Sequence, residues 1–171
     1  VHAVERRKIN SRIFQTCRFS DRRVHFCARL ITQLINAENV IEVRMRQQNM
    51  TALALARFLE AQPKVAQVNY PGLESHPRHL RARELFSGFG GVLSFELKGG
   101  VAAAQRLLKG VSLPVVAPSL GGVESLITRP CTTSHSGMAP KDRRRLGISD
   151  SLIRGSVGLE GAEDLIEDFR S

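Results

Sequence analysis

Residues 151–169 read SLIRGSVGLEGAEDLIEDF and contain two patterns separated by a glycine-rich turn. The apolar residues between Leu152 and Val157 predict a β-strand, which a single charge, Arg154, interrupts. After the turn, apolar residues recur at the i, i+3, i+4 and i+7 spacing of one helix face, and these are Ala162, Leu165, Ile166 and Phe169. This stretch therefore predicts a strand followed by an amphipathic helix.

Strand patterns recur upstream of this stretch. Ala66, Val68 and Tyr70 alternate with polar neighbours, which is typical of a half-buried strand. The clearest strand has Leu93, Phe95 and Leu97 on one face. The predicted strands are residues 66–70, 93–97, 113–116, 123–127 and 152–157. The chain is therefore expected to have a sheet of four or five strands.

Helix patterns alternate with these strands. Asn49 is a candidate N-cap for a helix whose apolar face is formed by Ala52, Leu55, Ala56 and Leu59. A second helix, opening near Ser75 or Pro77, is expected to carry Ala82, Leu85 and Phe86 into the core. Gly110 is expected to close a third helix as a left-handed cap, and Pro140 to open a short fourth helix. The alternation indicates an α+β domain of two layers, in which helices cover the sheet.

Positive charge is concentrated at the beginning of the chain. The formal net charge of the 171 residues is +9, and residues 1–46 carry ten basic against four acidic residues. Residues 1–43 have no clean period and are expected to be a basic extension, solvated or poorly ordered, before a domain at residues 44–171. A transit peptide and a nucleic-acid-binding arm are the alternatives, although nucleic acid is not the expected partner. Because the chain begins at Val1, it is expected to be a fragment or a processed product.

Several classes of protein and site are excluded by the sequence. No apolar run approaches the roughly 20 residues of a membrane-spanning helix, so no membrane partner is expected. The three cysteines, Cys17, Cys27 and Cys131, are odd in number and far apart, which favours free thiols over a zinc site or a disulfide scaffold. The glycines of residues 88–91 lack the strand–GxGxxG–helix context of a dinucleotide site.

Two features are candidates for chemistry. In the loop Ala117–Gly122, Ser119 is followed by two glycines between apolar strands, so the loop can offer a hydroxyl and backbone N–H donors to an anion, or it is an ordinary tight turn. Arg154 either faces solvent, as strand alternation allows, or holds an anion with its guanidinium fork. The residues alone leave both alternatives open.

His135 and the arginines at residues 143–145 are weaker candidates. His135 lies in a loop and can act as a base, but no nucleophile with a third orienting group is evident, so a structural hydrogen bond is favoured. The three consecutive arginines are expected to form a solvated face of a short helix.

Long motifs resemble one known family. They are QQN-TA at residues 47–52, VNYPGLESHPRH at 68–79, SGFGGVLSFEL at 87–97, APSLGGVESLI at 117–127 and the stretch at 151–169. Together they resemble the C-terminal domain of trans-sulfuration enzymes that depend on pyridoxal phosphate (PLP), the Cys/Met metabolism family. The resemblance covers residues 46–171 and is strongest to the cystathionine γ-synthases, with the cystathionine and methionine γ-lyases as close relatives. It implies the small domain of a fold-type-I PLP enzyme, with a mainly antiparallel sheet.

The resemblance also implies roles for individual residues. Arg154 matches the arginine that holds the α-carboxylate of the substrate, an amino acid such as an acylated homoserine or cystathionine. Ser119 and Leu120 match the loop that faces the cofactor and helps hold that carboxylate, which makes Ser119 a cofactor-binding candidate as well. Ser134 takes the place of the family's threonine beside His135. Full-length members form homo-oligomers, and the cytoplasm, or alternatively a plastid, is the expected compartment.

Three departures from the family pattern accompany the resemblance. Gly155 replaces a larger apolar residue and could loosen the strand that carries Arg154, and Pro118 replaces a frequent glutamate. The third is the Schiff-base lysine, because none of the five lysines of the chain lies in the family's Ser-x-Thr-Lys setting. The isolated chain is therefore expected to lack catalytic residues and activity. The competing hypothesis is a non-catalytic relic or regulatory subunit with a basic arm.

Overall fold

A computed structural model describes residues 22–170, and side chains from residue 40 onward. Contacts between residues divide the chain into two units, and the boundary along the chain falls between Glu42 and Val43. The first helix, α1, spans Arg22–Glu60. The prediction that this helix begins at Asn49 is therefore wrong. Residues 22–60 contain no glycine or proline that would interrupt a helix. The part of α1 before Asn49 has no regular apolar period, so the sequence pattern does not predict it. The other part of the predicted extension, residues 1–21, lies outside the described residues.

The second unit contains one sheet of five strands. Their bounds are β1 Val65–Asn69, β2 Val92–Leu97, β3 Val115–Val116, β4 Leu126–Thr128 and β5 Ile153–Ser156. The order across the sheet is β1-β2-β5-β4-β3, so β5 is central and β3 lies at an edge. The pairs β1–β2, β2–β5 and β4–β5 are antiparallel, and only β3–β4 is parallel. The predicted α+β class with a mainly antiparallel sheet is confirmed.

Helices occupy connections between these strands, and one helix follows the last strand. Their bounds are α2 His79–Leu85, α3 Gly100–Gly110, α4 Pro140–Arg145 and α5 Ala162–Arg170, with a 3₁₀ turn at Pro130–Thr132. Pro140 begins α4 as predicted, and Gly147, with φ +73°, follows its end. No helix within residues 22–170 has the length and apolar character needed to cross a bilayer.

The core lies between one face of the sheet and three helices. Leu93, Phe95 and Ile153 point from β2 and β5 toward them and are at most 1% exposed. The helical side of the core consists of Ala52, Leu55, Ala56 and Leu59 of α1, Ala104 of α3 and Leu165 of α5. The ring of Phe169 meets that of Phe95 edge-on, with centroids 6.2 Å apart. The apolar stripes predicted for α1 and α5 therefore bury against the strand predicted most clearly.

Some local predictions fail for identifiable reasons. A register irregularity between Val65 and Gln67 breaks the alternation of β1, so Ala66 is exposed rather than inward-facing. On the short helix α2, Ala82 is buried, but its last residue, Leu85, is 57% exposed, and Phe86, which follows the helix in extended backbone, is 62% exposed.

Two further predictions concern element ends. Gly110 is the last residue of α3, and the helix ends in the extended backbone of Val111, not in a left-handed glycine. Strand β4 begins at Leu126 rather than Val123, which lies in a bend and is 52% exposed.

Candidate functional site

A row of polar residues crosses the face of the sheet opposite the core. The strand register places Asn69 beside Ser94, Ser94 beside Arg154, and Arg154 beside Thr128. Side chains alternate along a strand, so these residues face away from Leu93, Phe95 and Ile153. Arg154 therefore lies on the central strand, in the middle of a polar face, and is neither fully buried nor fully exposed.

The guanidinium of Arg154 contacts the loop at residues 117–122. Its Nη2 donates hydrogen bonds to the backbone carbonyls of Pro118, at 2.7 Å, and Ser119, at 2.8 Å. Its Nε is buried and has no hydrogen-bond partner among the described residues. A buried donor without a partner costs free energy unless another acceptor reaches it. The structure thus brings Arg154 and the Ser119 loop together and leaves one donor of the fork unused.

Three further side chains hold this loop in place. The Gly121 N–H donates to Ser156 Oγ at 3.1 Å, while Gln48 Nε2 donates to the Gly122 carbonyl at 2.9 Å. Arg44 Nη2 donates to the Gly121 carbonyl at 2.7 Å. Gly121 has φ +78°, a backbone conformation that favours glycine. The loop is therefore fixed at its glycine end from α1 and β5.

The sequence pattern does not predict the roles of Gln48 and Ser156, although Gln48 leaves a signal. Gln48 precedes Ala52 by four residues and so continues the apolar stripe of α1, yet it is polar and only 4% exposed. A buried amide on an apolar stripe requires a hydrogen-bond partner, which here is a loop distant in sequence.

A cleft of about 270 Å³ lies over the polar face. It is lined by Asn69, Val92, Leu93, Ser94, Pro130, Ser134, His135, Ile148, Leu152 and Arg154. Ser134 Oγ and His135 Nδ1 are hydrogen-bonded at 2.9 Å, so the two residues are linked to each other at this cleft. Leu120 is 56% exposed and is not among the lining residues. Ser119 contacts Arg154 through its backbone carbonyl.

Buried arginines support the segment that carries Ser134 and His135. Arg129 donates through Nε and Nη2 to the Asp150 carbonyl, at 3.0 and 2.6 Å. Arg143 donates through Nη2 to Asp150 Oδ1 at 2.7 Å and through Nη1 to the Met138 carbonyl, also at 2.7 Å. Arg143 is 9% exposed, so its predicted place on a solvated face is wrong. A short helix turns one of three consecutive arginines inward, and Asp150 provides the partner that its burial requires.

No steric contact in this structure requires a glycine at position 155, where the family pattern has a larger apolar residue. A Cβ at Gly155 would lie 3.8 Å from Leu93 Cγ, which is ordinary van der Waals contact. Gly155 pairs with Leu93 on one side and Ile127 on the other, so the ladder continues through it.

The cleft contains groups that can hold an anion, and no described lysine lines it. A guanidinium, a hydroxyl and an imidazole line the cleft, and these groups can bind a carboxylate and the polar edge of a cofactor. None of the described lysines is among the lining residues, and Lys64 and Lys98 line a cavity on the helical side of the sheet. The described residues therefore supply no Schiff-base partner at this cleft.

Comparisons with known proteins agree with this geometry. The family model described as Cys/Met metabolism PLP-dependent enzyme matches residues 33–171. Cystathionine γ-lyase of Rattus norvegicus is 48% identical over 129 residues, or 75% of this chain and 32% of that protein. The chloroplastic cystathionine γ-synthase 1 of Nicotiana tabacum is 42% identical over 136 residues, or 80% and 25%.

A solved structure gives the same result. The crystal structure of cystathionine γ-synthase from Xanthomonas oryzae pv. oryzae in complex with cystathionine is similar with a TM-score of 0.73 and 44% identity, covering 75% of this chain and 33% of that one. The chain thus spans about a quarter to a third of the length of the relatives it matches. As its motifs predict, the chain belongs to the Cys/Met metabolism family of enzymes, whose cofactor is PLP.

Proposed function

We propose that residues 44–171 form the part of a PLP-dependent trans-sulfuration enzyme that recognises the α-carboxylate of its amino-acid substrate. The single observation that carries the proposal is Arg154, which projects from the central strand into the cleft with a buried, unpartnered Nε. A guanidinium presents parallel N–H donors that match the two oxygens of a carboxylate. The position of Arg154 beside Ser119, Ser134 and His135 supports the same assignment.

In the proposed binding step, the Nε–Nη2 edge of Arg154 receives the carboxylate. The carboxylate oxygens take the place of the carbonyls of Pro118 and Ser119, which accept from Nη2 in this structure. The loop then reorganises at its Pro118 end, while Ser156 and Gln48 retain its glycine end. Ser134 and His135 give the cleft a hydroxyl and an imidazole for the polar edge of substrate or cofactor. When bound, PLP supplies the electron sink for chemistry at the substrate's carbon skeleton.

Within the family, the motifs favour a cystathionine γ-synthase, which would use an acylated homoserine. A cystathionine γ-lyase is the second candidate, because the rat lyase is 48% identical to this chain and the tobacco synthase 42%. The cytoplasm and a plastid are both retained as proposed compartments, and the tobacco relative is chloroplastic by name.

Complementation tests this proposal. The full chain is co-expressed with the N-terminal part of the Xanthomonas oryzae synthase that it does not match, and the product is assayed with PLP. Formation of cystathionine from an acylated homoserine and cysteine favours a synthase, whereas cleavage of cystathionine favours a lyase. We expect Arg154→Gln to lower kcat/KM by at least about 30-fold, since truncating one partner of a buried charge pair costs about 2–5 kcal/mol.

The control is the synthase's own C-terminal part, co-expressed in the same way. If that part restores turnover and this chain does not, the enzymatic proposal is wrong and a non-catalytic role is favoured. If the chain restores turnover and Arg154→Gln is equally active, the carboxylate-binding role of Arg154 is wrong.

A further inference from the structure

A second and larger cavity lies on the other side of the sheet from Arg154. It measures about 660 Å³ and opens between the end of α1, α3 and α5. This volume falls within the roughly 300–1,000 Å³ typical of small-molecule sites. Its apolar lining includes Phe58, Leu59, Phe95, Leu107 and Phe169, and Phe95 and Leu59 belong to the buried core. The cavity therefore reaches from the surface to the core through apolar side chains.

Three basic residues, exposed at the surface, lie close together in the lining of this cavity. Lys64 precedes β1 and Lys98 follows β2, and the Lys98 N–H donates to the Lys64 carbonyl at 2.9 Å, so the two lysines project from adjacent strand ends. A Cβ built on Gly99 would lie 3.8 Å from Arg106 Nη2, which places the guanidinium beside the residue that follows Lys98. Like charges on neighbouring strands repel one another, and an anion between them would relieve that repulsion.

The other charged residues of the cavity have interaction partners of their own. The carboxylate of Asp168 accepts hydrogen bonds from the Ser112 N–H and hydroxyl and from the Leu113 N–H, at 2.6 to 3.1 Å. Arg170 is paired with Glu167 at 3.0 Å and lies over the ring of Phe58, 5.6 Å from its centroid. In the described part of the chain, no side-chain hydrogen bond or ion pair engages Lys64, Lys98 or Arg106.

We propose that this cavity binds an amphipathic anion, with the apolar tail between α3 and α5 and the anionic head at Lys64, Lys98 and Arg106. An apolar pocket with convergent charged groups at one end is the arrangement by which proteins orient such ligands. A carboxylate and a phosphate head are both compatible with a lysine pair and a guanidinium. The site is separate from the Arg154 cleft, and the inference does not depend on the proposed function.

Calorimetric titration of the full chain with decanoate and with decyl phosphate tests the site. We expect saturable binding of at least one of them, and binding at least about tenfold weaker for decanol, which has the tail without the charge. Acetate and inorganic phosphate, which have the charge without the tail, are expected to bind at least as weakly. Tighter binding of decanoate identifies a carboxylate ligand, and tighter binding of decyl phosphate identifies a phosphate ligand.

Matched variants separate this site from general surface charge. The double variant Lys64→Gln/Lys98→Gln is expected to weaken binding at least about tenfold, whereas Lys109→Gln, at an exposed lysine of α3 outside the cavity lining, leaves it unchanged. Ala103→Phe fills the cavity from α3 and is expected to abolish binding, and its thermal unfolding is measured to verify that it folds.

The proposal is overturned by absence of binding of both probes, by equal binding of decanol, or by an equal effect of Lys109→Gln. It is also overturned if a folded Ala103→Phe variant binds as the parent chain does.

Discussion

On strand β2, Leu93 and Phe95 face the helices, whereas Ser94 between them faces the cleft. The same division holds on β5, where Ile153 is fully buried in the core and Arg154 lies among polar groups. The helical face buries apolar surface, which contributes roughly 25 cal/mol per Å² to folding. The opposite face retains a charged group with a buried, unpartnered donor, which contributes little to folding.

Adjacent residues of one strand therefore contribute to different properties of the molecule. The helical face accounts for stability, because its residues are packed on all sides. The cleft face carries the proposed carboxylate site, because Arg154 keeps one unpartnered donor there. Substitutions on the two faces should therefore separate loss of stability from loss of binding.

Phe95→Ala should have the largest effect on folding. Removing a fully buried ring from the centre of the core is expected to lower the free energy of unfolding by about 3–5 kcal/mol. Urea unfolding of the full chain measures this change. Ser94→Ala, one residue away on the cleft face, is the matched control and is expected to change the free energy by less than about 1 kcal/mol. Similar losses in the two variants would contradict the division between the faces.

Tyr70→Phe tests the one buried phenol of the core. Burial raises the pKa of Tyr70 from 10.0 to about 12, and its hydroxyl donates to the Gly90 carbonyl at 2.8 Å. Near neutral pH, the variant should be less stable by about 1 kcal/mol because it loses this hydrogen bond.

The pH dependence of Tyr70 has a defined sign. Because the pKa of Tyr70 is raised in the folded state, its phenol ionises at lower pH in the unfolded chain than in the folded chain. The stability that the buried neutral phenol contributes is therefore present below pH 10 and is lost as the pH rises to about 12. Over this range the parent chain should lose about 2–3 kcal/mol relative to Tyr70→Phe. Tyr70 is the single tyrosine of the chain, so its absorbance reports the titration directly. A folded-state midpoint near pH 10 would show that burial does not perturb this phenol.

Ser156→Ala should have a local effect of intermediate size. It removes the acceptor of the Gly121 N–H at the edge of the cleft loop. We expect amide exchange at Gly121 to accelerate about tenfold, which corresponds to about 1.4 kcal/mol. The Gly158 N–H, which donates to Ser125 Oγ at 2.9 Å, serves as the internal control. Equal acceleration at both amides would mean that the change is global and that Ser156 does not act on the loop.

Arg154→Gln should have the smallest effect on folding. It loses two hydrogen bonds to loop carbonyls, but it also removes a guanidinium with a buried, unpartnered Nε, and these changes offset each other. The free energy of unfolding is expected to change by less than about 1 kcal/mol in urea unfolding. A loss as large as that of Phe95→Ala would assign Arg154 a structural role and weaken the binding proposal.

The parts of the fold that the sequence predicts are those with a local period. Leu93, Phe95 and Leu97 alternate because one face of β2 meets the core, and Leu165, Ile166 and Phe169 repeat because one face of α5 does. The prediction fails where the backbone departs from a regular strand or helix. The irregularity in β1 exposes Ala66, and Phe86, which follows the end of α2, is exposed.

The candidate site was predictable to a different degree. Arg154 stands out locally, as a charge within an apolar strand, and Ser119 as a hydroxyl beside two glycines. Their proximity follows from the family resemblance and not from spacing, because 35 residues separate them. Gln48 is a polar residue on an apolar stripe, but its partner Gly122 is 74 residues away, and no local pattern identifies it.

The amino-acid sequence is sufficient to predict the class of the fold, the strand that carries Arg154 and the family, because these depend on local periods and contiguous motifs. Other contacts are seen only in the folded chain. The carbonyls of the loop accept hydrogen bonds from Arg154, and Gln48 and Ser156 hold the loop in place. Lys64, Lys98 and Arg106 line one cavity. The physical reason is that hydrogen bonds and charge clusters join residues distant along the chain, and their distances are set by the packing of the sheet against the helices.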